Sequence, residues 1–227
     1  MVPMSMVVAV SGSVGGIGAS TFAWALAQQL TLADGEAQHV CLIDVQPDGA
    51  PLDLIVGCEQ TPGIRWSQVR IRSTDIAANV ILQALPAHHG VAVLSADSGA
   101  TADPVALGHL VAALRRDGCR VVLDIGARDA VLPTLQPDVE VLLLPPTLPG
   151  IVAAHAVLRR GAELIVVDTG NADVTPEMVA TQLGRAPRAS IRWQRSVRDA
   201  AVSAAPFPAT SDVMRAAAEV LVVVNGA

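Results

Sequence analysis

The chain of 227 residues contains no lysine and no tyrosine, so all 15 of its basic residues are arginine. Aromatic residues make up only 2% of it, two Phe and three Trp. No apolar run reaches the ~18 residues of a membrane span. The N-terminus lacks the basic flank of a signal peptide, and the expectation is a cytoplasmic protein. The three cysteines, Cys41, Cys58 and Cys119, show no metal-ligand spacing and are read as reduced core residues. Against these absences stand 52% hydrophobic residues and a net charge of -6, enough apolar material for one large core.

The chain is organised around residues 7–21, VVAVSGSVGGIGAST. An apolar run feeds a loop with Gly12, Gly15, Gly16 and Gly18, and an Ala-rich helical pattern follows over 19–30. Strand, glycine loop and helix leave backbone N–H groups unpaired at the positive end of a helix dipole, where an anion such as phosphate can be held. In the frame GxxxxGK[ST], Ser13 replaces the first Gly and Ala19 the Lys. Ser11-Gly12-xxx-Gly16-Ile17-Gly18 also resembles the TGxxxGIG of short-chain dehydrogenases. That class protonates its substrate through a Tyr-xxx-Lys pair, and the chain has neither residue. A third reading is a tight turn that binds nothing.

Similar apolar runs recur at 39–44, 91–95, 121–125, 139–144, 164–168 and 189–193. Helical patterns lie between or after them at 75–82, 104–116, 151–160, 176–183 and 197–204. A Pro-rich break (Pro206, Pro208) precedes a last helix over 212–223. This alternation predicts an α/β fold, a single doubly wound and mostly parallel sheet with helices on both faces, covering 1–227 as one domain. Asp44 closes the run 39–44 and Asp124 stands at the end of 121–124, at strand ends of the kind that face a ligand crevice in such folds.

The segment Asp44-Val-Gln46-Pro-Asp48-Gly-Ala-Pro-Leu52-Asp53-Leu54-Ile55-Val56-Gly57-Cys58-Glu59 resembles the switch of the MinD/ParA group of deviant P-loop ATPases. There an acid-bearing strand end leads into an LDLIxG helix. Residues 14–20, VGGIGAS, match the same group's KGGxGKT loop, and Val121-Val-Leu-Asp124 matches its Mg²⁺-facing strand. The resemblance implies ATP or ADP with Mg²⁺, nucleotide contacts from Ser13, Gly15, Gly16, Ile17, Gly18, Ala19, Ser20 and Thr21, and Mg²⁺ contacts from Ser20, Asp44 and Asp124. Asp44 and Gln46 are the candidates for handling attacking water. Both signature lysines are gone, replaced by Val14 and Ala19, and Gln46 cannot accept a proton, so weak binding and little or no turnover are expected. Arg128 is the nearest candidate for a replacement cation.

The GGxGAST form, together with Gln60-Thr-Pro62-Gly63-Ile64-Arg65-Trp66, is similar to the CpaE/TadZ branch, tied to septum-site determination in actinobacteria and to Flp pilus assembly. It implies a spatial regulator or assembly factor with a partner in a division or pilus/secretion machinery, recruited by that partner to membrane or pole, and it allows a homodimer. The chain is expected to lack the upstream receiver-like domain that such proteins often carry. Two alternatives stand beside it, an active ATPase using an Arg for the Lys and a nucleotide-free scaffold. Asp44 and Asp124 also have a plainer reading as carboxylates that cap neighbouring loops. Arg185, Arg188, Arg192, Arg195 and Arg198 form a local basic cluster, read as a solvated face or a protein contact. Nucleic acid is not expected, because strand parity would split the cluster and the net charge opposes it.

Overall fold

Parallel strands buried on both faces need apolar side chains at nearly every position, and helices must then cover both sides. The computed structural model describes residues 5–34, 39–45, 50–97, 102–126, 135–159 and 161–226. In chain order they form β1 (Met6–Gly12), α1 (Ala19–Asp34), β2 (Val40–Asp44), α2 (Leu52–Val56), α3 (Ala78–Ala84), β3 (Ala87–His88), β4 (Val91–Leu94), α4 (Pro104–Arg116) and β5 (Arg120–Gly126). The second half adds β6 (Val139–Leu144), α5 (Leu148–Val157), β7 (Glu163–Asp168), α6 (Pro176–Leu183), β8 (Ala189–Arg192), α7 (Arg195–Val202) and α8 (Asp212–Gly226).

The strands join one eight-stranded sheet in the order β3-β4-β2-β5-β1-β6-β7-β8, all parallel except the β3–β4 pair. This is the α/β sheet expected from the alternating pattern. Helix α1 lies under its centre with Phe22, Trp24, Leu26 and Leu30 fully buried, covered in turn by α8. The buried Gln28 ties the two covering segments together, its Oε1 accepting from Phe207 N at 3.1 Å. A second core on the opposite face joins α4 to β2 and β5 through Leu107, Leu110, Leu114, Cys41 and Val121.

Helix starts follow local caps where the sequence offers them. Asp103 accepts from Val105 N (2.8 Å) and Ala106 N (3.3 Å) with Pro104 behind it, and Thr175 caps α6 in the same way. The starts of two helices move by three residues from the expected positions. Helix α3 begins at Ala78 rather than 75 because its first N–H is capped from afar by Asp117 Oδ2 (2.8 Å). Helix α5 begins at Leu148 because Thr147 Oγ1 accepts from Gly150 N. The two-residue β3 and its His89-Gly90 turn, both at positive φ, were not legible as a strand.

All three cysteines are buried and unbridged. Burial pushes the Cys58 and Cys119 thiols up to about 11 from an ordinary value of 9.0, and Cys41 higher still, with Asp53 adding to the rise at Cys58. Thiols kept neutral by the fold leave stability whole below about pH 9, where the unfolded chain is also protonated. That stability is lost as pH rises from 9 toward 11. With no lysine or tyrosine to titrate in that range, the melting temperature is expected to fall across it. A flat melting profile from pH 9 to 11 would contradict this assignment.

Candidate functional site

The glycine loop takes its shape from backbone requirements. A Cβ at Gly12 would lie 2.6 Å from Ile17 Cγ2 and 3.0 Å from the Val14 carbonyl oxygen, so the loop can fold back only on glycine. Gly16 (φ 74°) and Gly18 (φ 97°) hold left-handed backbone, with open space where side chains would stand. Ile17 turns into the core while Gly15 and Gly16 stay exposed. Ser13 N donates to Leu143 O at 2.8 Å, whereas its hydroxyl is buried with no hydrogen-bond partner among the described residues.

Phe22 is the first α1 residue whose N–H reaches a carbonyl, Gly18 O at 2.9 Å. The N–H groups of 15–21 meet no acceptor among the described residues. Unpaired amides and an orphaned hydroxyl at the positive end of a 16-residue helix form a cradle for an anion. The loop itself supplies no cation. Ala19 is only 8% exposed and packs into the core, and Val14 lies half-buried beside it.

Beside the loop, the register of β2 on β5 sets Asp44 opposite Asp124, and that of β1 on β5 sets Val10 opposite Asp124. The two carboxylates are therefore neighbours at the C-terminal edge of the sheet, both buried. Asp44 Oδ2 accepts from Leu52 N and Ala96 N, each at 3.2 Å, and so caps the start of α2. The capping role is thus real at Asp44. Ser20, Asp44 and Asp124 offer the oxygen donors that Mg²⁺ prefers, and Mg²⁺ takes one or two carboxylates with waters and phosphate oxygens rather than a full protein cage. Such an ion would hold phosphate oxygens against the loop. Among the described residues no group of three or more His, Cys, Asp or Glu could hold a metal by itself. Gln46 and Arg128 lie outside the described residues.

Sequence reading missed the brace behind these acids. Arg65 Nε meets Asp53 Oδ2 at 2.9 Å with both side chains about nine-tenths buried (12% and 10% exposed), and its Nη atoms donate to the Gly63, Cys58 and Thr61 carbonyls. Trp66 Nε1 donates to Asp44 O at 2.5 Å, and Ser95 Oγ accepts from Asp53 N at 3.1 Å. Only the Arg65-Trp66 pair, within the segment singled out for its resemblance, gave a hint of this. Gly57 ends α2 at φ 83°, where a Cβ would be 2.2 Å from that of Ala204.

On the other side of the loop a cavity of about 330 Å³ opens between Gly18, Thr21, the end of β8 and α7. Its floor is apolar, with Phe22, Val167, Ile191 and Val213. Of the arginine cluster, Arg192 and Arg198 line it, and the cluster is not one free basic face. Arg185 donates to Ala162 O (2.9 Å), Arg188 pairs with Glu163 (2.9 Å), Arg192 with Asp212 (3.4 Å) and Arg195 with Asp199 (3.6 Å). The strand ends at Arg192, and Arg195 and Arg198 belong to α7.

A search of solved structures finds a ParA family ATPase from Chlorobium tepidum at TM-score 0.79 and 14% identity, covering 94% of this chain and 96% of that one. The chain has the ParA/MinD fold. The septum site-determining protein MinD of Pyrococcus horikoshii, solved with Mg-ADP, matches with TM-score 0.70 and 17% identity over 98% of this chain and 96% of that one. No family model matches the chain. An uncharacterized protein of Mycobacterium tuberculosis is 37% identical over 123 residues, 54% of this chain. The chain spans about a third of the length of the curated relatives it matches. Among the described residues, no helix is long and apolar enough to cross a membrane.

Proposed function

We propose that this chain is a non-standard member of the MinD/ParA group, of the CpaE/TadZ-like branch. In this reading it is a spatial regulator or assembly factor in septum-site determination or a Flp pilus/secretion system, acting through a protein partner. Its site holds ATP or ADP with Mg²⁺ weakly. The observation that carries this reading is the glycine loop with its unpaired amides and orphaned Ser13 hydroxyl, set next to the Asp44–Asp124 pair, with Ala19 where the cation belongs. Ser13, Gly15, Gly16, Ile17, Gly18, Ala19, Ser20 and Thr21 would form the phosphate cradle. Ser20, Asp44 and Asp124 would face Mg²⁺ and its waters.

Phosphoryl transfer rests almost wholly on placed charge, and Ala19, Val14 and Gln46 remove it from three places. The isolated protein is expected to release no phosphate above a Ser20→Ala control and to form no ATP-dependent dimer on size exclusion. Phosphate release that Asp124→Ala abolishes would overturn this and favour an active ATPase. The capping of α2 by Asp44 favours a second reading, a scaffold without nucleotide, in which that carboxylate serves the fold alone.

A further inference from the structure

The cavity beside the glycine loop contains a cation with no assigned partner. Four of the five clustered arginines are committed to a carboxylate or a carbonyl, three of them within 3.4 Å. Arg198, on α7 one turn beyond Gln194, lines the cavity; its backbone N–H donates to Gln194 O at 3.4 Å, while its guanidinium meets no acceptor among the described residues. Gln194 is itself fixed, its Oε1 accepting from Asp212 N at 2.7 Å. Trp193, 59% exposed, lines the same space next to Arg192.

A mostly apolar cavity with a cation in its wall suits a ligand with a flat, weakly polar body and an anionic end. The apolar floor and the Trp193 ring take the body, and the anionic end lies toward the loop amides. What the loop lacks at Ala19 is a cation for that end. A guanidinium on a flexible stem at the opposite wall can supply one, and its fork matches phosphate oxygens two at a time.

We propose that Arg198 reads a phosphate of a bound nucleoside di- or triphosphate, so that the site's cation comes from α7 instead of the loop. This rests on the nucleotide reading given above. The ligand class follows from the combination of amide cradle, apolar floor and unpaired guanidinium. Arg198 is a binding residue in this scheme and takes no part in bond making.

The test titrates ADP with Mg²⁺, and separately adenosine, into wild type, Arg198→Ala, Arg198→Lys and Arg195→Ala. Calorimetry gives affinity, and the ligand-induced change in Trp emission reports mainly on Trp193, which lines the cavity while Trp24 and Trp66 are buried away from its lining. Arg195→Ala removes the same charge from the same helix, at a residue paired with Asp199 and outside the cavity lining. The expected result is a loss of about ten- to a hundredfold in ADP affinity for Arg198→Ala. Arg198→Lys should recover part of it, Arg195→Ala should bind as wild type, and adenosine should be indifferent to all three. Equal binding by wild type and Arg198→Ala, or equal weakening by Arg198→Ala and Arg195→Ala, overturns the assignment and leaves the nucleotide reading standing. Failure of wild type to bind ADP at all overturns both.

Discussion

Replacing Arg65 with alanine is expected to cost about 3–5 kcal/mol of stability, measured as a lower urea midpoint at unchanged slope. The physical reason lies in what would remain. Asp53 is buried at 7% exposure, and without Arg65 its carboxylate would be a charge held in the interior with its main partner gone. The same guanidinium satisfies the carbonyls of Gly63 and Thr61, which would also lose this donor, and that of Cys58, which would keep only Thr61 N. Natural domains have only about 5–15 kcal/mol to lose, so the variant should sit near the limit of folding. A double variant, Asp53→Leu with Arg65→Met, removes both charges and should recover much of the loss, since buried pairs owe most of their apparent worth to the penalty of breaking them singly. A cost below about 1 kcal/mol for Arg65→Ala would place the pair in solvent and sink the brace.

Ala19→Lys is expected to tighten Mg-nucleotide binding by about ten- to a hundredfold, the worth of one charge-assisted contact. Turnover should stay absent, because Val14 and Gln46 are untouched. The site can take the change locally: Ala19 stands at the first turn of α1, with Gly12 and its missing Cβ alongside. Circular dichroism would verify that the folded state survives entry of a long side chain at a buried position. Unchanged affinity in a folded variant would mean that nucleotide phosphate does not lie on these amides.

Much of this architecture was written locally in the chain. The Val40–Asp44 strand is buried at every position and reads as an unbroken apolar run ending in an acid, as does the stretch up to Asp124. The loop is legible because Gly12, Gly16 and Gly18 are needed at specific backbone geometries. Four features were not legible: the Asp117 cap on α3, the Trp66–Asp44 bond, the Arg65–Asp53 pair and the Ser95–Asp53 bond. Each joins residues 12 to 42 positions apart, and only tertiary packing brings them together. The parity argument for the arginines presumed a continuous strand. The strand instead ends at Arg192 and α7 begins at Arg195, and this turn sets Arg198 beside the cavity.

The site's ability to hold a nucleotide without a loop lysine is tested most directly by thermal melting of the wild-type protein against rising Mg-ADP. At roughly 5 mM ligand and a dissociation constant of about 0.5 mM, binding adds about 1.4 kcal/mol, which raises the melting temperature by roughly 3 to 6 °C. A saturable rise of that size is the predicted result, and no shift at several millimolar nucleotide would contradict it and leave a scaffold that merely keeps the ParA/MinD fold.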